Sequence, residues 1–376
     1  VQPLSNSIKS LEPQIDPNNK ITFLLDWELT LKCNLDCSYC ESGPTGSHDN
    51  STKHPPLLEC LDAIDFMFEY VDVKMQNKPK GLKYVVLNVY GGESLHHPNI
   101  VQVLQNAREK YKPYQDKWHL IVTTTTNAIV SSKKLAQIIP LIDEFTVSYH
   151  SENTEAQKQQ FRRNLLAIKT STSRLKCVVM MHGEPNKFAD SQQMIQWLEQ
   201  NHIKCLPKQV DNPWQNDDFN YNKQQVVWFE NLYKTSLSHA EVKNNKSVLT
   251  NTGRACCGGR LMCADQQFKQ TQYFVPNHFK GWYCSVNHFF LHVKQVTKQV
   301  FVNKDCRMNF DGTHGPIGTL SDTKSLIQQA SNPAVIQCAN TRCYCGICAP
   351  KSSDLDTYKK IMEKYEIPST NLLHQA

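Results

Sequence analysis

Between residues 21 and 206, short runs rich in β-branched and aromatic residues alternate with longer amphipathic stretches, and nothing else in the chain restricts its fold as much. Parallel neighbours in a sheet need a crossover long enough to return the chain, and a helix is the usual one, so this alternation predicts a parallel sheet wrapped by helices. The strand-like runs cover 21–29, 84–90, 119–126, 144–150, 175–182 and, shorter, 202–206. Helices fit between them at 58–73, 100–112, 131–139, 154–169 and 190–200. Six such units make an α/β fold, an open partial (β/α)6 barrel.

Side chains alternate faces along a strand, so the fourth run separates Thr146, Ser148 and His150 from Phe145, Val147 and Tyr149. The apolar set is expected against the outer helices and the polar set toward a cavity, unless Ser148 and His150 simply satisfy each other. Beyond residue 206 the texture becomes rich in Asn, Gln and Asp, with one helix expected near 223–238. The expected division is therefore an extension at 1–20, a barrel at 21–206, a linker with a helix at 207–255, a cysteine-rich unit at 256–350, and a C-terminal helix and tail at 351–376. That last helix is expected over 355–365, capped by Ser353 with Asp356 at capping-box spacing.

The loop after the first strand reads Cys33-Asn-Leu-Asp-Cys37-Ser-Tyr-Cys40. Three thiolates so spaced can wrap three corners of an iron–sulfur cubane and leave the fourth iron open to a ligand. Zinc more often recruits four protein ligands, and no fourth Cys or His follows before His48. The loop resembles that of the radical S-adenosylmethionine superfamily, down to the aromatic Tyr39 before the third cysteine. The resemblance implies a TIM-like partial barrel and a [4Fe–4S] cluster held by Cys33, Cys37 and Cys40. It also implies that the amino and carboxylate groups of S-adenosylmethionine bind the open iron. Reductive cleavage would then yield a 5′-deoxyadenosyl radical that abstracts hydrogen from a substrate, with an electron donor such as flavodoxin or ferredoxin. Tyr39 would lie against the adenine.

The second strand ends in Gly91-Gly92-Glu93, at the carboxyl edge where α/β barrels place their sites. Alone this reads as a turn. About fifty residues after the cysteine loop, it is similar to the family segment that recognises the amino group of S-adenosylmethionine. Asn127, Ser148 and His150, at strand ends or on the polar face, are candidates for contacts to the rest of that cofactor.

Nine of the fifteen cysteines lie within 256–350. Cys284 and Cys306 flank a hairpin turning near 295–298, followed by a helix, Cys338, and the close set Cys343, Cys345 and Cys348; Cys257 and Cys263 stand upstream. This layout resembles the SPASM/twitch extensions, which carry auxiliary clusters, although its spacings depart from the standard SPASM string. One or two auxiliary [4Fe–4S] clusters are expected, zinc being the lesser alternative, with the unit lying over the barrel mouth. Cys60, Cys177 and Cys205 read as buried core, although a cysteine facing the cavity could return a hydrogen atom to a substrate radical. His96 and His97 lack ligand-like spacing.

The formal charge of +6 is spread without a basic run, which argues against a nucleic-acid footprint. No stretch of about 18 apolar residues exists and the first twenty residues are polar, so neither a membrane span nor a signal peptide is expected and the protein reads as cytosolic. So many cysteines in a reducing compartment point to metal ligation. Peptide modification is the leading reading and radical dehydrogenation of a small molecule its alternative. A non-catalytic iron–sulfur carrier or zinc scaffold is the reading from another class.

Overall fold

A computed structural model describes residues 10–11, 21–40, 49–76, 83–210, 221–229, 231, 280–303, 315–331, 335–338 and 351–364. After a short β1 (Ser10–Leu11), the strands β2 (Ile21–Thr30), β3 (Lys83–Gly91), β4 (His119–Thr126), β5 (Glu144–His150), β6 (Arg174–Met181) and β7 (Cys205–Gln209) lie side by side in that order, every pair parallel. The helices α1 (Leu57–Gln76), α2 (Ile100–Tyr111), α3 (Ser132–Ile138), α4 (Glu155–Lys169) and α5 (Pro185–Gln200) connect them. This is the six-unit partial barrel expected.

Period-two burial orients each strand. On β2, Phe23, Leu25, Trp27 and Leu29 are fully buried on one face, and Asp26 and Glu28 lie on the other. The same division recurs on β5, where Phe145, Val147 and Tyr149 are the fully buried set. Helix ends are set by short-range chemistry. Thr154 and Gln157 form a reciprocal capping box at the start of α4, and Pro185, which has no N–H to leave unsatisfied, opens α5 five residues before the sequence suggests. The seventh strand also lies three residues later than expected.

The expected hairpin is present as β9 (Phe290–Lys294) and β10 (Gln299–Phe301), but it belongs to the barrel's own sheet. β9 runs parallel to β2, with Asp26 opposite His292 and Glu28 opposite Lys294, and β11 (Gly318–Thr319) continues beyond β10. Gln295 secures the junction: its backbone N–H donates to Glu28 O, its side-chain oxygen accepts from Trp27 Nε1 at 3.0 Å, and its amide donates to Glu59 O on α1. The sheet thus runs across the boundary expected near residue 256. The hairpin closes off the β2 edge, which would otherwise expose a row of unpaired backbone groups.

A second sheet, ordered β1, β13 (Lys351–Ser352), β8 (Tyr283–Cys284) and β12 (Ile336–Gln337), joins the N-terminal β1 to three strands of the C-terminal part, which also contributes α6 (Thr323–Ser331) and α7 (Leu355–Lys364). The cap of α7 corrects the sequence reading. Asp354, not Ser353, accepts from the N–H of Thr357 at 2.7 Å, because its carboxylate reaches the first turn and places the cap one residue later. The helix expected at 223–238 is seen over 223–229, and its remainder falls largely outside the described residues.

Candidate active site

The cysteine loop leaves the carboxyl end of β2 and is clasped by the ends of β3 and β4. A register shift between Glu28 and Thr30 brings Thr30 opposite Gly91. There the N–H of Gly92 donates to Thr30 O and that of Glu93 to Lys32 O, both at 2.8 Å. Glycine is required at both positions. Gly91 has φ +147° and a Cβ there would stand 2.1 Å from Thr30 O, while one on Gly92 would stand 2.4 Å from Lys32 O. The Gly-Gly pair thus lets β3 meet the backbone at the root of the cysteine loop.

Glu93 is buried and already engaged. Its Oε1 accepts from Leu95 N at 3.0 Å and from the Thr126 hydroxyl at 2.7 Å, and its Oε2 accepts from Asn127 N at 2.6 Å. Burial pushes its pKa up while these donors pull it down, and burial wins. A carboxylate offers about four acceptor sites. Three are filled here from within the chain.

Asn127 carries the clasp onward. Its amide donates to Asn34 Oδ1 at 2.8 Å and lies 3.9 Å from Cys33 Sγ, while Asn34 donates to Ile129 O at 2.8 Å. The following residue, Ala128, sits in the left-handed region at φ 55°, held by its N–H on Thr126 Oγ1 and its carbonyl on Asn164. A non-glycine residue adopts that conformation only where its surroundings impose it.

On the far side of the loop, the Tyr39 hydroxyl is 2.7 Å from His150 Nδ1, and the two rings stack with centroids 5.9 Å apart. His150 Nε2 is 3.0 Å from Ser148 Oγ, which reaches Thr126 O at 3.4 Å. Ser148 and His150 therefore do satisfy each other, and both also connect outward. Burial lowers the His150 pKa to about 4, so its ring is neutral near pH 7. Burial, with Cys37 nearby, raises that of Tyr39.

Cys33, Cys37 and Cys40 are all half-buried. Burial raises Cys33 to about 11 against two backbone N–H groups, with Glu93 adding to the rise; burial, Cys40 and Glu152 raise Cys37 to about 12. Thiols so surrounded ionise readily only beside a cation. Soft thiolate donors in a half-buried, anion-flanked loop fit an iron–sulfur core. Among the described residues no three His, Cys, Asp or Glu converge on one ion position. A cubane takes each thiolate on a different iron and does not demand that convergence.

Neither a protein-family model nor a curated protein sequence matches the chain. Solved structures do. Native anSMEcpe with bound AdoMet superposes with a TM-score of 0.50 at 12% identity, over 84% of this chain and 82% of that one. The chain has the fold of anSMEcpe. Polyhistidine-tagged anSMEcpe with bound AdoMet gives 0.51 at 10% identity over 84% and 82%, and native anSMEcpe with bound AdoMet and Kp18Cys peptide gives 0.50 at 10% over 84% and 83%.

Within this anSMEcpe-like fold, Cys33, Cys37, Tyr39, Cys40, Gly91, Gly92, Glu93, Asn127, Ser148 and His150 all gather at the carboxyl edge of the sheet. Sequence reasoning missed Asn34, Ser38, Thr126, Glu152 and Lys187. Glu152 had a signal: it continues the 146, 148, 150 periodicity by one step. Cys284 ends β8 and Cys338 directly follows its neighbour β12 in the small sheet, where Cys338 exchanges backbone hydrogen bonds with Gly281 and Trp282. Cys257, Cys263, Cys306, Cys343, Cys345 and Cys348 lie outside the described residues. Cys177 shares the fully buried face of β6 with Val179 and Met181, turned to the helices and away from the interior. Cys60 is core. His97 is consumed by Pro55 O and Asn99 N.

Proposed function

We propose that the chain is a radical S-adenosylmethionine enzyme acting on a peptide or protein substrate. The reading rests above all on one observation: the three-thiol loop is locked to the carboxyl edge of a parallel sheet by Gly92, Glu93 and Asn127. Cys33, Cys37 and Cys40 would hold a [4Fe–4S] cluster, which with S-adenosylmethionine supplies a 5′-deoxyadenosyl radical for hydrogen abstraction. Gly91-Gly92-Glu93 fixes the loop root. Glu93 retains about one acceptor position beyond its three internal bonds, enough to orient a cofactor ammonium. Asn127 donates its backbone N–H to Glu93, while Ser148 and His150 lie on the polar face of β5, where neutral His150 meets the Tyr39 hydroxyl without adding a second charge.

The peptide assignment takes support from the fold shared with a protein whose structure holds a Kp18Cys peptide. An auxiliary cluster in the C-terminal part would draw on Cys284 and Cys338, which the pairing of β8 with β12 brings to one small sheet. A reduced electron carrier of the flavodoxin or ferredoxin kind would supply electrons.

Combining Cys33→Ala, Cys37→Ala and Cys40→Ala in anaerobically reconstituted protein should remove about four irons per chain and abolish S-adenosylmethionine cleavage, leaving other iron in place. Unchanged iron content would sink the assignment. Mass spectrometry of candidate peptides incubated with the wild type and S-adenosylmethionine then tests the substrate class.

A further inference from the structure

The cysteine loop is held at two places. Asn34 and Asn127 fix its first half; a carboxylate fixes its second. Ser38, between Cys37 and Cys40, donates its backbone N–H to Glu152 Oε2 and its hydroxyl to Glu152 Oε1, both at 2.7 Å. Lys187, in the first turn of α5, donates to the same Oε1 at 2.8 Å. Two donors of one residue captured by one carboxylate fix both the position and the direction of the backbone there. Burial alone would raise the Glu152 pKa, but the hydrogen bonds from Lys187 and Ser38 outweigh it and hold the carboxyl below its ordinary range. An ion pair joining the turn after β5 to α5 needs only Glu152 and Lys187. The Ser38 bonds reach outside that pair, into the cysteine loop.

We propose that Glu152 is a positioning residue for the iron–sulfur cluster: through Ser38 it sets how Cys37 and Cys40 present their sulfur atoms, and its negative charge lowers the reduction potential of the cluster. An anion nearby disfavours an added electron, and groups hydrogen-bonded around ligands tune a metal centre in this way. The inference rests on the reading of Cys33, Cys37 and Cys40 as cluster ligands.

The test compares reconstituted wild type, Glu152→Ala, Glu152→Gln, Ser38→Ala and the triple cysteine variant. Iron missing from the triple variant identifies the loop cluster. Glu152→Ala should release that iron to a chelator about tenfold faster or more, the equivalent of one charge-assisted hydrogen bond. Glu152→Gln, which keeps an oxygen for Ser38, should release it more slowly than Glu152→Ala. In both, the loop cluster should titrate at a more positive potential. Ser38→Ala, an exposed position that keeps its N–H, should release iron faster than wild type at an unchanged potential. If the triple variant loses no iron, the cluster reading and this inference fall together. If it loses that iron but Glu152→Ala matches wild type in release rate and potential, the inference falls and the cluster reading stands, even where thermal stability has changed.

Discussion

Replacing Glu93 by Gln exchanges one oxygen for an amide nitrogen at nearly constant volume, and the surroundings of that oxygen decide the cost. With its carbonyl kept toward Leu95 N and Thr126 Oγ1, the new amide group faces Asn127 N, 2.6 Å from the present Oε2, donor against donor. Turned over, it loses the oxygen that accepts from both Leu95 N and Thr126 Oγ1. A hydrogen bond to a charged group contributes about 1.5–3 kcal/mol, and a buried donor without a partner costs about 1–3 kcal/mol. Relief of the buried charge offsets part of this, leaving a net destabilisation of about 1–3 kcal/mol. Equilibrium urea unfolding should therefore show a lower midpoint for Glu93→Gln, and S-adenosylmethionine affinity should fall with it. Glu93→Ala, which removes all three internal bonds as well as any to the cofactor, should lose about ten- to a hundredfold in affinity. If Glu93→Gln unfolds at the wild-type midpoint and loses affinity alone, the carboxylate serves the cofactor and not the frame. If both variants match wild type in both measurements, the segment is only a turn.

Gly92→Ala drives a Cβ to 2.4 Å from Lys32 O and should cost about 1–3 kcal/mol, with iron at the cysteine loop falling below wild type; full iron at an unchanged unfolding midpoint would mean the loop root is free to move. Lys74, buried on α1 over the Tyr70 ring with no hydrogen-bond partner, has its pKa lowered by burial from 10.5 to about 7. Between those values the unfolded chain binds the extra proton. The stability of wild type relative to Lys74→Met should therefore rise with pH from about 7 to 10.5 by up to about 1.4 kcal/mol per unit, whatever the buried thiols and tyrosines common to both contribute; parallel pH profiles would contradict it. Cys177→Ala should leave S-adenosylmethionine-dependent product formation unchanged, because the thiol faces the helices; loss of product with cofactor cleavage retained would place it in the chemistry.

The barrel was legible from local pattern. β-branched runs such as 119–126 and 144–150 match the strands to the residue, because period-two burial is written directly into the order of side chains. The cysteine loop was equally legible, since its spacing is short-range. Details governed by a single cap or proline were not: the cap of α7 is Asp354 although the helix starts at Leu355 as expected, and α5 starts at Pro185, five residues early. What Glu93 and the two glycines do was decided by tertiary structure alone. Their partners, Thr126, Asn127 and the backbone of residues 30–32, lie dozens of residues away in the chain, and only the parallel register brings them within 3 Å. The same holds for Glu152 on Ser38, 114 residues apart, and for β9, whose pairing with β2 no local periodicity could announce. Sequence alone determined where the cysteine loop and the Gly-Gly-Glu segment fall and which strands form, because both follow from side-chain type at short spacing. Tertiary structure decided which polar groups consume one another and which remain for a ligand, because hydrogen-bond satisfaction is settled by distance in space.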